Sequence, residues 1–267
     1  MRTLLIAALV IALAIPAMAI TSREDVGFAP GSSYTQHHPD VVWGGARDVL
    51  WDNGPLVNYD PDLSVLQSVS LGMSTYGFGH QFLNDNWVAD DFTIPVGENW
   101  NIESITFFAY QTGSTLTSTI TGYHVVIFDG PPFEPTSNIV FGDLTTDVLQ
   151  ATGWSGVYRV LESDLAATNR PIMANICETM VTLGPGTYYI IWQADGSLTS
   201  GPWAPPVAIW GETETGDAWQ STDDGATWAY LVDSGTASGQ GLPFIIEGTH
   251  CTPVESASWS NIKAMYR

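Results

Sequence analysis

Ile172-Met173-Ala174-Asn175-Ile176-Cys177-Glu178-Thr179-Met180-Val181-Thr182-Leu183 runs through Gly184-Pro185-Gly186 into Thr187-Tyr188-Tyr189-Ile190-Ile191-Trp192-Gln193. Neither run keeps a 3.6-residue period, and a proline between two glycines permits a chain reversal, so the stretch predicts two antiparallel strands joined by a turn. Tyr188, Ile190 and Trp192 oppose Tyr189 and Ile191, which makes both faces of the second strand apolar. Further out, Ile105, Phe107 and Ala109 oppose Thr106, Phe108 and Tyr110 in the same manner, whereas Asp91-Phe92-Thr93-Ile94 alternates as a half-exposed strand does. Additional strands are predicted at residues 48–51, 87–94, 102–111, 122–128, 139–141, 157–161, 207–210 and 242–247, each bounded by Gly, Pro, Asn or Asp. No period of 20 to 50 residues recurs, which argues against a solenoid or a full propeller. The expected fold is all-β: a single antiparallel two-sheet β-sandwich, jelly-roll-like, over residues 47–250. The doubly apolar strands need cover on their outer faces, from the chain's own loops, from its N-terminal arm, or from a neighbouring molecule.

Composition narrows the function classes. With 28 Asp and Glu against 7 Lys and Arg, a net charge of −21 and a single lysine, Lys263, the chain lacks the cationic clusters that grip nucleic acid or anionic lipid, and it has no lysine for a phosphate loop. Residues 1–19 read as a cleaved secretory signal: Arg2 begins it, an apolar stretch follows, and Ala17-Met18-Ala19 supplies the small-x-small site. A membrane anchor is the alternative, but the apolar run is shorter than the ~20 residues that a bilayer core requires. Residues 20–46 form a polar, turn-rich arm, and residues 251–267 a linker and C-terminal tail. The expected location is secreted or cell-surface, with no membrane insertion once the signal is removed. In that compartment Cys177 and Cys251 read as one disulfide closing more than seventy residues, worth ~4 kcal/mol, the alternative being two unrelated buried thiols.

Four groups of residues are candidates for chemistry. Trp203 and Trp210 lie in Pro-rich sequence followed by Glu212 and Glu214. Flat rings beside carboxylates suit carbohydrate binding, and the competing reading makes both tryptophans core anchors. Asp90 and Asp91, with Asn84-Asp85-Asn86 and Asp223-Asp224, offer hard oxygen ligands for a structural calcium ion; no other cofactor is implied. His37-His38 stands without any second metal-ligand pair. Glu178 and Glu247, on strand-like runs, are the pair that a carboxylate-dependent glycoside hydrolase would draw on, among many acidic pairs that arise by chance. No G-x-S-x-G is present, so the residues identify no catalytic group.

Ser221-Thr222-Asp223-Asp224-Gly225-Ala226-Thr227-Trp228 matches S-x-D-x-G-x-T-W and resembles the Asp-box of the bacterial neuraminidase repeat. The resemblance implies a structural hairpin turn in which Ser221, Asp223, Gly225, Thr227 and Trp228 hold the fold without acting on substrate. Three further runs, Trp51-Asp52-Asn53-Gly54-Pro55-Leu56-Val57, Val88-Ala89-Asp90-Asp91-Phe92-Thr93-Ile94-Pro95 and Gly241-Leu242-Pro243-Phe244-Ile245-Ile246-Glu247-Gly248, resemble a recurring type of exported bacterial β-sandwich protein. That resemblance implies export and fold, and carries over no site residue. The tail Ser258-Trp259-Ser260-Asn261-Ile262-Lys263-Ala264-Met265-Tyr266-Arg267 resembles terminal segments of other exported bacterial proteins, which implies recognition by a sorting machinery. Together these features lead to the expectation of a non-enzymatic module of the cell surface or extracellular matrix that self-associates. Polysaccharide binding is the alternative, and glycoside hydrolysis a further one.

Overall fold

The computed structural model describes residues 47–251; the signal, the N-terminal arm, His37-His38 and the tail beyond Cys251 lie outside them. The described chain is all-β, its one helical element being a short 3₁₀ turn (Phe82–Asn84). One six-stranded sheet, curled as a half-barrel, has the order β1 (Asp48–Asp52), β14 (Phe244–Cys251), β5 (Asn99–Ala109), β9 (Pro171–Leu183), β8 (Leu149–Leu161), β2 (Leu63–Leu66). A second has the order β13 (Ala229–Tyr230), β12 (Trp219–Ser221), β4 (Trp87–Ile94), β10 (Gly186–Gly196), β6 (Ile120–Phe128), β7 (Ile139–Asp143). A two-stranded ribbon joins β3 (Phe78–Gly79) to β11 (Trp203–Ala204).

Two features correct the expected topology. The turn at Gly184-Pro185 is not a hairpin between paired strands: β9 lies in the first sheet between β5 and β8, and β10 in the second between β4 and β6. Both edges of each strand are already taken by other partners, so the reversal carries the chain from one sheet to the other. Nor is the pairing wholly antiparallel, because β2 runs parallel to β8, with Leu63 opposite Tyr158 and Leu66 opposite Leu161. Residues 207–210 also form no strand. Val207 donates to the Gly241 carbonyl and Ala208 to the Pro55 carbonyl, so their amides are satisfied by two separate segments instead of one ladder.

The alternation of β5 shows where the apolar surface goes. Ile105, Phe107 and Ala109 enter a cluster shared by both sheets, where the Phe107 ring meets that of Trp192 on β10 at 4.8 Å. Phe108 and Tyr110 point to the opposite face and join Ile172, Ala174 and Ile245 in a second cluster, roofed by Leu56, Val57, Tyr76 and Trp203. On the outer face of the second sheet, Phe82 stacks on His124 at 4.2 Å and Phe133 packs on Trp219 at 4.3 Å, while Ile191 beside them is buried. The chain's own loops therefore cover these strands. Full burial of a large apolar side chain stabilises by ~2–3 kcal/mol, which makes this cover a main term in stability.

The Cys177–Cys251 bridge is likewise absent, since Cys177 is a free, buried thiol. Cys177 pairs with Ile105 on one side of β5, and the Cys251 backbone pairs with Asn99 on the other side. Six residues along a strand separate those positions by roughly 20 Å, far beyond the ~7 Å between Cα atoms that a disulfide tolerates. The apolar surroundings push the Cys177 thiol up in pKa, so it is an inert core group and not a nucleophile. Among the described residues no helix is long and apolar enough to cross a membrane.

Candidate functional site

The Pro-rich segment that fails to become a strand forms one wall of a surface pocket. Pro205 and Pro206 bring no amide donors, and the bonds of Val207 and Ala208 hold the segment against residues 55 and 241. Residues 206–209 then face Asn58, Val65 and Gln67, with Glu212 and Thr215 completing the rim. The space measures about 230 Å³ including its open mouth, and its enclosed depth admits about one water molecule. It is a shallow site.

Two rings stand beside the pocket. Tyr59 follows the lining residue Asn58, Trp210 follows Ile209, and their centroids are 5.2 Å apart at 44°. Tyr59 is 37% and Trp210 47% exposed, and the neighbouring Ile209 is 39% exposed. The Tyr59 hydroxyl, the Trp210 indole N–H and the Glu212 carboxylate make no hydrogen bond to another described residue, so all three remain open to a ligand. The framework beneath is fixed: the Asn58 amide donates to the Val65 carbonyl and accepts from the Val65 amide, and Gln67 Oε1 accepts from the Gly211 amide at 2.7 Å. Arg159 lies under the pocket with 2% exposure. Its guanidinium donates to the Tyr76 and Thr75 carbonyls and to Ser64 Oγ, and burial draws its pKa down to about 10, still a cation at neutral pH.

The structure separates the two tryptophans that the sequence groups together. Trp203 pairs with Gly79 in the β3–β11 ribbon, packs on the second apolar cluster and donates its Nε1–H to Ser200 Oγ; it does not line the pocket. Glu212 lines the pocket, whereas Trp210, like Tyr59, lies outside its lining and stacks with that ring. Tyr59, Asn58, Gln67 and Arg159 were not foreseen, since they lie fifty to one hundred and fifty residues away in sequence and no local pattern marks them.

The remaining candidates have other surroundings. Asp90, Asp91 and Asp217 bring carboxylate oxygens within 4.8 Å of one another. Asp90 is buried, and its Oδ2 accepts from the Asn53 side-chain amide at 2.9 Å and the Leu242 amide at 2.8 Å, while Oδ1 accepts from the Asp91 amide. Burial, followed by the charges of Asp91 and Asp217, raises its pKa to about 8, against the opposing pull of those amides. Asp90 thus ties β4 to the segments beside β1 and β14, as an inter-sheet clamp. Glu178 and Glu247 both pair with Ser104 from opposite sides of β5, and the Arg47 guanidinium, bonded to Ser104 Oγ and Glu103, lies at that spot.

The turn between β12 and β13 is held by its own side chains. Ser221 Oγ donates to Asp223 Oδ1 and accepts from the Gly225 amide, and Asp223 accepts from the Thr227 amide and hydroxyl at 2.9 and 2.7 Å. Gly225 has φ +77°, and any Cβ there would fall 2.3 Å from the Trp87 ring, which in turn meets Trp228 edge-on. The chain matches no known protein-family model, and neither a curated protein nor a solved structure matches it.

Proposed function

We propose that the protein is an exported, non-enzymatic β-sandwich module of the cell surface or extracellular matrix that binds polysaccharide at the Tyr59–Trp210 pocket. The observation carrying this reading is the pair of exposed rings beside a shallow pocket with unbonded polar groups at its rim. Sugar rings present an apolar face edged by hydroxyls. Stacking on Trp210 or Tyr59 removes that face from water, and Glu212, the Tyr59 hydroxyl and the Trp210 N–H can exchange hydrogen bonds with the edge. Glu212 is the one carboxylate lining the pocket, and hydrolysis by paired carboxylates needs two, which favours binding over catalysis. Self-association has less support, because the apolar strand faces that would drive it are covered within the chain.

Affinity electrophoresis through gels containing different polysaccharides tests the reading. At least one polysaccharide should retard the parent protein, and Trp210→Ala should migrate as it does in a gel without polysaccharide. Retardation of Trp210→Ala equal to that of the parent would overturn it.

A further inference from the structure

The segment that supports the pocket wall contains a fully buried histidine. His80 follows β3 directly, and residues 78–81 grip residues 202–204: Phe78 pairs with Ala204, Gly79 pairs with Trp203, and the Gln81 side-chain amide donates to the Pro202 carbonyl at 2.9 Å. Pro206, which lines the pocket, follows soon after Ala204. We infer that His80 is an acid-sensitive latch: when its ring takes up a second proton, this grip opens and the pocket wall loses one of its supports. Release of a bound ligand as a consequence rests on the polysaccharide reading of the pocket.

The hydrogen bonds around the ring leave no place for that proton. His80 Nε2 lies 3.4 Å from Tyr123 Oη, and that oxygen already accepts from the Asn175 side-chain amide at 3.3 Å. Nε2 is the one other partner that the described residues give this hydroxyl, so the Tyr123 O–H donates and Nε2 accepts. The ring's own proton then sits on Nδ1, which has no partner within hydrogen-bond distance. Protonating Nε2 sets two N–H groups against the Tyr123 oxygen, deprives its O–H of an acceptor, and buries a charge without a counter-ion. No charged side chain acts on the ring from β4, β6, β9 or β10. The titratable groups on that side are Tyr123 and, beside it, Cys177, and burial pushes both up, so they stay neutral. Burial likewise draws the His80 pKa down to about 4, only partly offset by the Phe78 carbonyl. Between the ordinary 6.5 and about 4, an opened segment therefore binds a proton that the closed one does not, and falling pH favours opening.

Hydrogen exchange of the whole protein at about pH 7.5 and about pH 4.5, corrected for the pH dependence of the intrinsic rate, tests the inference. Peptides covering residues 78–81 and 202–206 should lose at least about tenfold in protection at the lower pH, while those from β5 and β9 keep theirs, and His80→Gln should remove the change. The His80 imidazole signals of the parent protein give a reading that needs no variant, and they should titrate well below 6.5. Unchanged protection of residues 202–206, equal loss across β5 and β9, or a His80 ring titrating near 6.5 would each overturn the latch. In gels containing a retarding polysaccharide, acid should release the parent and not His80→Gln. Retention of the parent at the lower pH, with the two peptides open, would overturn the coupling to the pocket. Absence of retardation by any polysaccharide at the higher pH would remove the polysaccharide reading, and the exchange and titration results would still decide the latch.

Discussion

Trp203 and Trp210 sit seven residues apart in one Pro-rich segment, yet they meet opposite surroundings. Trp203 is caught in a ribbon with β3 and closes the second apolar cluster over β5, while Trp210 leans on Tyr59 with nearly half its surface in water. Chemically equal side chains in one short segment acquire different roles because of what the rest of the fold brings opposite them. Around Trp203 those neighbours are Phe108, Tyr110 and Tyr76; around Trp210 they are Tyr59 and the open pocket. The first arrangement stabilises the fold, and the second leaves a surface available for a ligand.

Substitution should separate the two most strongly. Trp203→Ala is expected to cost about 3 kcal/mol and lower the thermal midpoint by several degrees, whereas Trp210→Ala should stay within about 1 kcal/mol of the parent. Equal losses in differential scanning calorimetry would break the distinction.

A second contrast sets the interior clamp at Asp90 against the solvated carboxylates around the pocket. Its pKa of about 8, against 3.8 for an ordinary aspartate, means that the folded chain keeps a proton which the unfolded chain has released between those values. Stability from this group is complete below about pH 4, declines as pH rises, and is gone above about 8, a change on the order of a few kcal/mol. Chemical denaturation across that range should show the decline, and Asp90→Asn should flatten it relative to the parent. An unchanged slope in Asp90→Asn would place the effect elsewhere.

The β12–β13 turn offers a smaller effect. Gly225→Ala combines a left-handed backbone with a clash against the Trp87 ring, and about 1–3 kcal/mol of stability should be lost, with no change in polysaccharide retardation. If retardation changed as well, the turn would be part of the binding surface. Smallest of all, reduction should leave the thermal midpoint where it is. Cys177 should resist thiol reagents in the folded protein and react after denaturation, and a midpoint that falls on reduction would contradict the free thiol.

Much of the strand content was legible in the sequence, and its pairing was not. Residues 87–94 were read at their observed limits, and β5, β6, β9 and β10 within a few residues, because uninterrupted apolar and β-branched runs have no other stable arrangement here. Partner choice depends on contacts distant along the chain. The Gly184-Pro185 reversal looks the same in sequence whether it joins neighbours in one sheet or crosses between two. Short strands such as Leu63–Leu66 and Trp219–Ser221 escaped notice because their order is imposed by β8 and β4 beside them. At the candidate site, Trp210 and Glu212 are proposed from ring and carboxylate chemistry, while Tyr59 and Arg159 arrive beside them only through folding. The proposed bridge to Cys251 failed for the same reason: counting cysteines reveals nothing about the register that places the two on opposite sides of β5.

The central claim is that the exposed ring pair, and not Trp203, is what a polysaccharide contacts. Isothermal titration of the parent and of Trp210→Ala with a retarding polysaccharide, at matched thermal midpoints, tests it most directly. The account predicts saturable heat with the parent and a loss of at least about tenfold in affinity for the variant, equivalent to ~1.4 kcal/mol. Identical isotherms for the two proteins would contradict it.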